Sequence, residues 1–505
     1  MATSSRRDEI PRGSTQGPAA RHKFFGGLAA VVGALALVEI TSGIIQGFYT
    51  PILTDIARRF EVHDADVNWL EAAQFMFAAL AVPILAKLGD LYGHRLVLLV
   101  TTAVVAGASF TMALAPGFLT FLVGWTLQGA YVVWLPLEVA LIYLAARESA
   151  KLSDAAHEVP ALTRRATGFL VAALELGVIG GALTAGALAE VLSLSVILLI
   201  PAVAVAACFF VVLFMVPKDP AHGRAKTNID VTGVVLLSLS LGTFMAGLVL
   251  VRSVGFTSPW PWLLVVVSLA ILAPFVRHER RHPEPIIDVD MLKDRSMWPI
   301  QLVAGLFGVS ILGAQAPLST FARTDPAEVG YGVGLSAAQV SYAIGVYVVA
   351  LLVGALLYAP VARWLTPRLA LVVASVLVST GFMLFLPFHE SLVQLVGNML
   401  IIGLGSGALV AALPAAAAAA APQSRTGMAT GLINTSKTIG GAISSAVFGV
   451  ALLQGVSNVV VEAGQTAAPL SGYLTVWALC GITAACCAVL LLLVPKRAFT
   501  SVSAR

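Results

Sequence analysis

The sequence predicts an all-α integral membrane protein with fourteen transmembrane helices. Three observations carry that prediction. The 505 residues are 58% hydrophobic and only 11% charged, far from the composition of a soluble domain. Fourteen apolar stretches are each long enough to cross a hydrocarbon core of about 30 Å as a helix. When the connectors are assigned alternately to two sides, 25 of the 30 Lys and Arg residues fall on one side.

In order, the stretches run roughly 25–48, 67–88, 95–115, 118–146, 165–188, 191–216, 229–251, 260–277, 298–322, 337–360, 367–387, 391–418, 425–452 and 471–494. They are spans 1 to 14. The basic side holds the amino-terminal tail and every second connector. The opposite connectors hold only Arg58, Arg59, Arg252 and Arg323, and Lys437 alone lies inside a span. Short loops rich in Lys and Arg stay in the cytoplasm, so both termini are expected there. A span count wrong by one would scramble this segregation.

Residues 1–23 are polar and rich in Arg, Pro, Gly and Ser, which reads as a disordered cytoplasmic tail. Span 1 is too long, and lacks the small-residue cleavage site, to be a removable signal peptide. Spans 1–6 form an amino-terminal six-helix bundle over 24–217. Residues 218–296 hold cytoplasmic connectors and two extra central helices. Spans 9–14 form a second six-helix bundle over 297–495, and 496–505 is a cytoplasmic tail. Six, two, six suggests halves related by an axis along the membrane normal. Trp69, Trp260, Trp262 and Trp298 fall near span ends, where interfacial anchors belong. The seven alanines at 415–421 read as small-residue helix packing.

Cys208, Cys480, Cys486 and Cys487 all lie within spans, so neither a disulfide framework nor metal spacing follows. The net charge of +4 is largely the loop bias and implies no nucleic-acid partner. All eight His residues fall in the tail or connectors. No catalytic constellation, cofactor or metal site is expected.

Ionisable groups at bilayer depth are costly and mark function by default. Glu39, Glu138 and Glu175 lie well inside spans 1, 4 and 5, and Glu71 nearer the end of span 2. The second bundle has no acid in a span interior and Lys437 instead. Glu39, Gly43, Gln46 and Thr50 share one helical face, as do Gln128, Tyr131, Leu135 and Glu138 on span 4, and Glu71, Gln74 and Ala78 on span 2. Such polar stripes should face a cavity. Burial without a cation favours the neutral carboxyl, the property a group needs to take up a proton on one side and release it on the other. Glu39, Glu138 and Glu175 are therefore the proton-coupling candidates. Gln46, Glu71, Gln74, Gln128, Tyr131, Gln315 and Lys437 are the candidates for lining a substrate cavity. The alternative for each glutamate is a protonated hydrogen bonder in helix packing. For Lys437 it is snorkelling or pairing with carbonyls.

The stretch Ala86-Lys87-Leu88-Gly89-Asp90-Leu91-Tyr92-Gly93-His94-Arg95 resembles the loop signature after span 2 of the major facilitator superfamily, with Leu88, Asp90, Gly93 and Arg95 matching and Ala86 replacing a Gly. The resemblance implies the major facilitator fold and assigns Asp90, Gly93 and Arg95 to a cytoplasmic gate. The two extra central spans, Asn228-Ile229-Asp230-Val231-Thr232-Gly233 and the His278-Glu279-Arg280-Arg281 connector resemble the fourteen-span drug:proton antiporter branch. That branch carries glycines in its fifth span. Gly168, Gly177, Gly181 and Gly186 keep the spacing, which implies helix packing there. Ala182 stands where the branch has Pro, Ala185 where it has Gly, and Trp125 where it has an Arg before Leu127-Gln128-Gly129. Glu39 precedes Pro51 by twelve residues, where the branch has an Asp nine before its Pro. Gly431 to Thr438 comes within one Gly of a phosphate-binding loop but lies in an apolar span, without the preceding strand such a loop needs.

The expected protein is a secondary transporter of a plasma (inner) membrane, monomeric, working by alternating access on a small molecule and protons. Export of an apolar or cationic molecule against protons is the leading reading. A proton-coupled importer is the alternative, and a membrane-embedded enzyme a third, disfavoured by the lack of any catalytic grouping at depth.

Overall fold

The computed structural model describes residues 18–153, 159–218, 230–255, 257–283, 285, 287–421, 426–453, 460–462 and 465–494. Among them, fourteen helices are long and apolar enough to cross a membrane: Ala29–Arg59, Asp64–Tyr92, His94–Ala113, Phe118–Glu148, Ala161–Ala189, Leu194–Met215, Val231–Val251, Pro259–Glu279, Trp298–Arg323, Ala337–Trp364, Pro367–Leu384, Leu392–Ala420, Ala429–Leu453 and Leu470–Leu493. Each expected stretch meets one of these. A helix satisfies its own backbone without water, so it is the form such segments take in lipid.

Three details differ from expectation. The first helix begins at Pro18, so residues 18–23 are helical and not part of a disordered tail. Proline is preset for a first helical turn, and Ala19 and Ala20 are strong helix formers. The rest of that tail, the connector 219–229 and the tail from 495 lie outside the described residues. Trp69 is buried among Ala72, Leu248, Ala446 and Val450 and does not anchor at an interface, whereas Trp260, Trp262 and Trp298 are exposed. Between spans 13 and 14, β1 (Val460–Glu462) and β2 (Gln465–Thr466) pair antiparallel with an irregular register.

Two hydrophobic cores organise the chain. One is built almost wholly from residues 31–216, the other almost wholly from 287–494. The halves repeat the same devices, which the sequence shows poorly. Arg95, opening span 3, donates to the carbonyls of Leu213 and Val216 at the end of span 6, at 2.6 and 2.7 Å. Arg368, opening span 11, donates to the Leu491 carbonyl near the end of span 14 at 3.1 Å. Each arginine satisfies carbonyls a helix end leaves open and places positive charge at the negative end of its dipole. Glycines bring spans 1 and 5 together, since a Cβ on Gly43 or Gly177 would overlap backbone of the other span. Gly308 and Gly440 do the same between spans 9 and 13.

Spans 7 and 8 pack mainly on each other. Over their most apolar stretches they are only 33% and 17% buried, against at least 56% in spans 4, 9, 12 and 13, so the pair is peripheral. Span 7 lies over the seam between spans 2 and 13, where Leu241, Met245 and Leu248 meet Trp69, Phe75 and Ala442. Asp230 caps span 7 by accepting from the Gly233 N–H at 2.8 Å. Burial alone would push its carboxyl up, but that N–H and the neighbouring His278 hold it below the usual carboxylate range.

Candidate functional site

Three spans are interrupted where they approach the centre of the molecule. Span 1 changes at Tyr49 from the helix Pro18–Phe48 to a 3-10 turn, Thr50–Ile52, before the helix Leu53–Arg59. Span 4 passes through a 3-10 segment, Gly129–Val133, between Phe118–Gln128 and Trp134–Ser153. Span 9 breaks between Trp298–Ile311 and Gln315–Arg323. Irregular backbone at this depth survives only where its polar groups find partners or line a cavity. In span 4 the Gly129 N–H turns to Thr126 and Leu127. The Trp125 carbonyl is then taken by Gln74 Nε2 of span 2 at 3.2 Å. Gly129 lies against Gln74, and a Cβ there would press on the Gln74 backbone.

The three breaks border one polar chamber. Its wall includes Gln46, Glu71, Gln74, Gln128, Tyr131, Gln315 and Lys437, so all seven residues expected to face a cavity come together there. Gln128 Nε2 donates to the Tyr49 hydroxyl at 3.0 Å and to Ser109 Oγ at 2.9 Å. The Tyr131 hydroxyl is within hydrogen-bonding reach of Gln46. Glu71 reaches the Ala316 N–H, in the first turn of the helix after the break in span 9. Trp125 packs on Tyr49 with ring centroids 4.9 Å apart and on Phe121 at 5.8 Å. An aromatic wall therefore stands where the resemblance would place an arginine.

A second, mostly apolar chamber adjoins the first. It is lined by residues of the second bundle such as Ile344, Tyr347, Phe382 and Met399, and it shares Gln46, Thr50 and Gln315 with the polar chamber. The two together form an amphipathic space between the bundles. On the outer surface, at the seam of spans 5 and 10, runs an apolar groove that includes Ile179, Leu183 and Val346.

The three proton-coupling candidates stand outside the chamber walls. Glu39 and Glu138 are fully buried and face one another across spans 1 and 4. Their carboxyls are within hydrogen-bonding reach of one another, and Glu39 also of Ser42. Tyr131, in the chamber wall, lies within electrostatic reach of both Glu39 and Glu71. Glu175, on span 5, and Lys437, on span 13, feel each other's charge across the two bundles.

One end of the molecule is closed. Arg323 Nη2 donates to Asp55 Oδ1 at 2.6 Å between spans 9 and 1, and Ser319 Oγ donates to the Thr50 carbonyl. Gly186 of span 5 fits against Ser341 and Ala337 at the start of span 10. The other end is looser. Span 2 is largely buried from Val67 to Ala79 but only partly so from Leu80 to Leu88. The residues expected to gate that end are within the first bundle. Asp90 pairs with His94 at 3.1 Å, Gly93 takes φ 107° in the turn between spans 2 and 3, and Arg95 braces span 6. Of the four span-5 glycines, Gly177, Gly181 and Gly186 are in close packing. Gly168 is exposed with nothing within 4 Å of its Cβ position, which corrects the expectation that it packs.

Sequence reasoning missed the Asp55–Arg323 latch, because the two residues are 268 positions apart. It also missed Tyr49 and Thr438 in the chamber wall, where Thr50 does stand with Gln46, as their shared helical face predicts. Gly129 directly after Gln128 was the available sign of a break beside a polar residue. Arg323→Ala is expected to loosen the closed end. Losing one partly buried ion pair, about 1 kcal/mol, shifts a two-state equilibrium roughly fivefold. Labelling of a single cysteine introduced at Ala337 should quicken accordingly, and an unchanged rate would remove the latch role.

The family model described as Major Facilitator Superfamily matches residues 35–445 and 297–504. The chain is 26% identical over 473 residues to the puromycin resistance protein pur8 of Streptomyces alboniger, covering 92% of this chain and 86% of that one. It is 24% identical over 457 residues to a probable actinorhodin transporter of Streptomyces coelicolor, covering 87% and 74%. In fold it is similar to the nucleoside transporter NupG, with a TM-score of 0.62, 13% identity and coverage of 92% and 98%.

Proposed function

The chain belongs to the Major Facilitator Superfamily and is a multi-pass membrane transporter, and on that premise we propose that it exports a small apolar or cationic molecule in exchange for protons. The observation that carries this reading is the paired chamber between the bundles. One part offers amide, hydroxyl and carboxyl groups, the other an apolar wall, and Tyr131 in the polar wall is within electrostatic reach of Glu39 of the buried carboxyl pair. A cargo with an apolar body and a polar or cationic end fits both parts. The names of the Streptomyces relatives agree with an antibiotic-like cargo.

On the positive-inside reading Asp90 and Arg95 face the cytoplasm, which makes the proposed conformation inward-facing, closed outside by Asp55 and Arg323. Cargo binds from the cytoplasm or the inner leaflet, the bundles rock about the chamber, and the latch opens outward. Protons entering from outside reach Glu39 and Glu138 through the chamber and Tyr131, and leave inward once the cargo is gone. Two like charges facing each other in a medium of low dielectric repel strongly, which makes the pair a place for an exchangeable proton.

The test uses inside-out vesicles from cells of a plasma membrane expressing the protein, acidified inside and followed with a pH dye. Lipophilic cations and neutral antibiotics are added in turn. Proton loss on adding a compound supports exchange. Ala182 and Trp125, standing where the antiporter branch has Pro and Arg, keep proton-coupled import as a second reading. Import gives proton movement in the same direction as the cargo, so the sign of the coupled flux separates the two.

A further inference from the structure

Transport leaves one cluster of side chains unused, at the ends of the two extra helices. Asp230 precedes span 7, His278 lies in the last turn of span 8, and His282 follows it. We infer that Asp230, His278 and His282 form a binding site for a divalent transition metal, with Zn2+ the best match. One ligand atom from each lies within 4.8 Å of the other two. His278 Nε2 is 2.7 Å from Asp230 Oδ1, and His282 Nδ1 is 4.0 Å from Asp230 Oδ2.

The geometry is built rather than incidental. The His282 N–H bonds to the His278 carbonyl at 3.0 Å, so the helical turn continues past Glu279 and sets both imidazoles on one face, with ring centroids 5.5 Å apart. Asp230 arrives from 48 positions earlier and is pinned by its own cap to Gly233. Its carboxylate is 2% exposed, and Oδ2 has no hydrogen-bond partner. The neighbouring cation Arg280 is turned to Asp290 at 3.3 Å. Glu279, between the histidines, accepts the Ile287 N–H through Oε2 at 3.1 Å and is not counted as a ligand.

Zinc takes nitrogen and oxygen ligands at about 2.0–2.2 Å in a tetrahedron, and ligand atoms within 4.8 Å of one another are close enough to share one ion. Two imidazoles and a carboxylate favour Zn2+ over Mg2+ or Ca2+, which prefer oxygen sets. The fourth position is left for water. A bound ion would tie the start of span 7 to the end of span 8, beside the connector that leads into the second bundle.

The test is calorimetric titration of Zn2+ into purified, chelator-stripped full-length protein, with Co2+ absorption reporting the ligand set. One equivalent binding in the micromolar range or tighter is expected. His278→Asn with His282→Asn should weaken it by more than the 10–100-fold typical of supporting residues, while His94→Asn keeps it. Zn2+ should also raise the melting temperature of wild type and not of the double variant. Should the double variant fail to fold, Asp230→Asn serves in its place. Absence of binding to wild type, or stoichiometry and affinity unchanged in the cluster variants, overturns the site.

Discussion

Glu39→Gln is expected to abolish substrate-induced proton movement while leaving the protein folded in the membrane. Glutamine matches glutamate in size and stays neutral, so it replaces a protonated carboxyl without a steric change. Glu39 is wholly buried with its carboxyl within hydrogen-bonding reach of Glu138 and Ser42. A glutamine amide of the same shape can still hydrogen-bond Glu138 and Ser42, so packing loses little, whereas under the proposed mechanism proton exchange loses one of its two sites. Removing a group that transfers a proton typically costs 100-fold to 10,000-fold, so coupled flux should fall by at least about 100-fold. Exchange of labelled for unlabelled cargo, which needs no net proton transfer, should persist. Glu138→Gln should behave alike, and the double variant no worse than either single one, since the pair acts as a unit. Normal proton flux in the Glu39→Gln protein would make the pair a packing feature. Loss of cargo exchange together with proton flux would point to the chamber itself.

Gly177→Leu is expected to stop the protein accumulating. Spans 1 and 5 approach so closely that a Cβ at Gly177 would overlap the Ile40 carbonyl and stand 3.0 Å from the Gly43 Cα. The obstruction is backbone on a packed helix, which no rotamer change relieves. Overpacking commonly costs 1–3 kcal/mol, and a clash with fixed backbone should exceed about 3 kcal/mol, a large part of any protein's margin. At Gly168, on the same span, an added Cβ meets nothing within 4 Å and the position is exposed, which leaves a leucine room to extend. Gly168→Leu should change stability by no more than about 0.5 kcal/mol. Membrane abundance and melting temperature of the two variants measure the contrast. Equal abundance would refute the packing argument.

The contrast between these glycines marks where reading residues in a line stops. All four glycines keep the spacing of one motif, yet only three meet a neighbour. Helical spacing placed Glu39 and Gln46 on one face, and Gln128, Tyr131 and Glu138 on another. It did not divide those faces into a chamber wall and a buried carboxyl pair. On span 4 that division follows the 3-10 segment Gly129–Val133, which alters the helical phase between Gln128 and Glu138. On span 1 Glu39 and Gln46 lie on one unbroken helix, seven residues or about 10 Å apart along its axis. The Asp55–Arg323 latch and the Asp230–His278–His282 cluster likewise join residues far apart in the chain.

The number and position of the spans were legible in the sequence alone. A bilayer acts on each segment by itself, so length and apolarity decide whether a segment is fit to cross it. The resemblance carried by Leu88, Asp90, Gly93 and Arg95 likewise needed no coordinates. Tertiary structure alone decided which polar groups share a chamber, which end is closed, and that span 7 covers the seam of spans 2 and 13. Those outcomes depend on how each helix is rotated and where it breaks, and both are set by neighbouring helices whose partners lie hundreds of residues away.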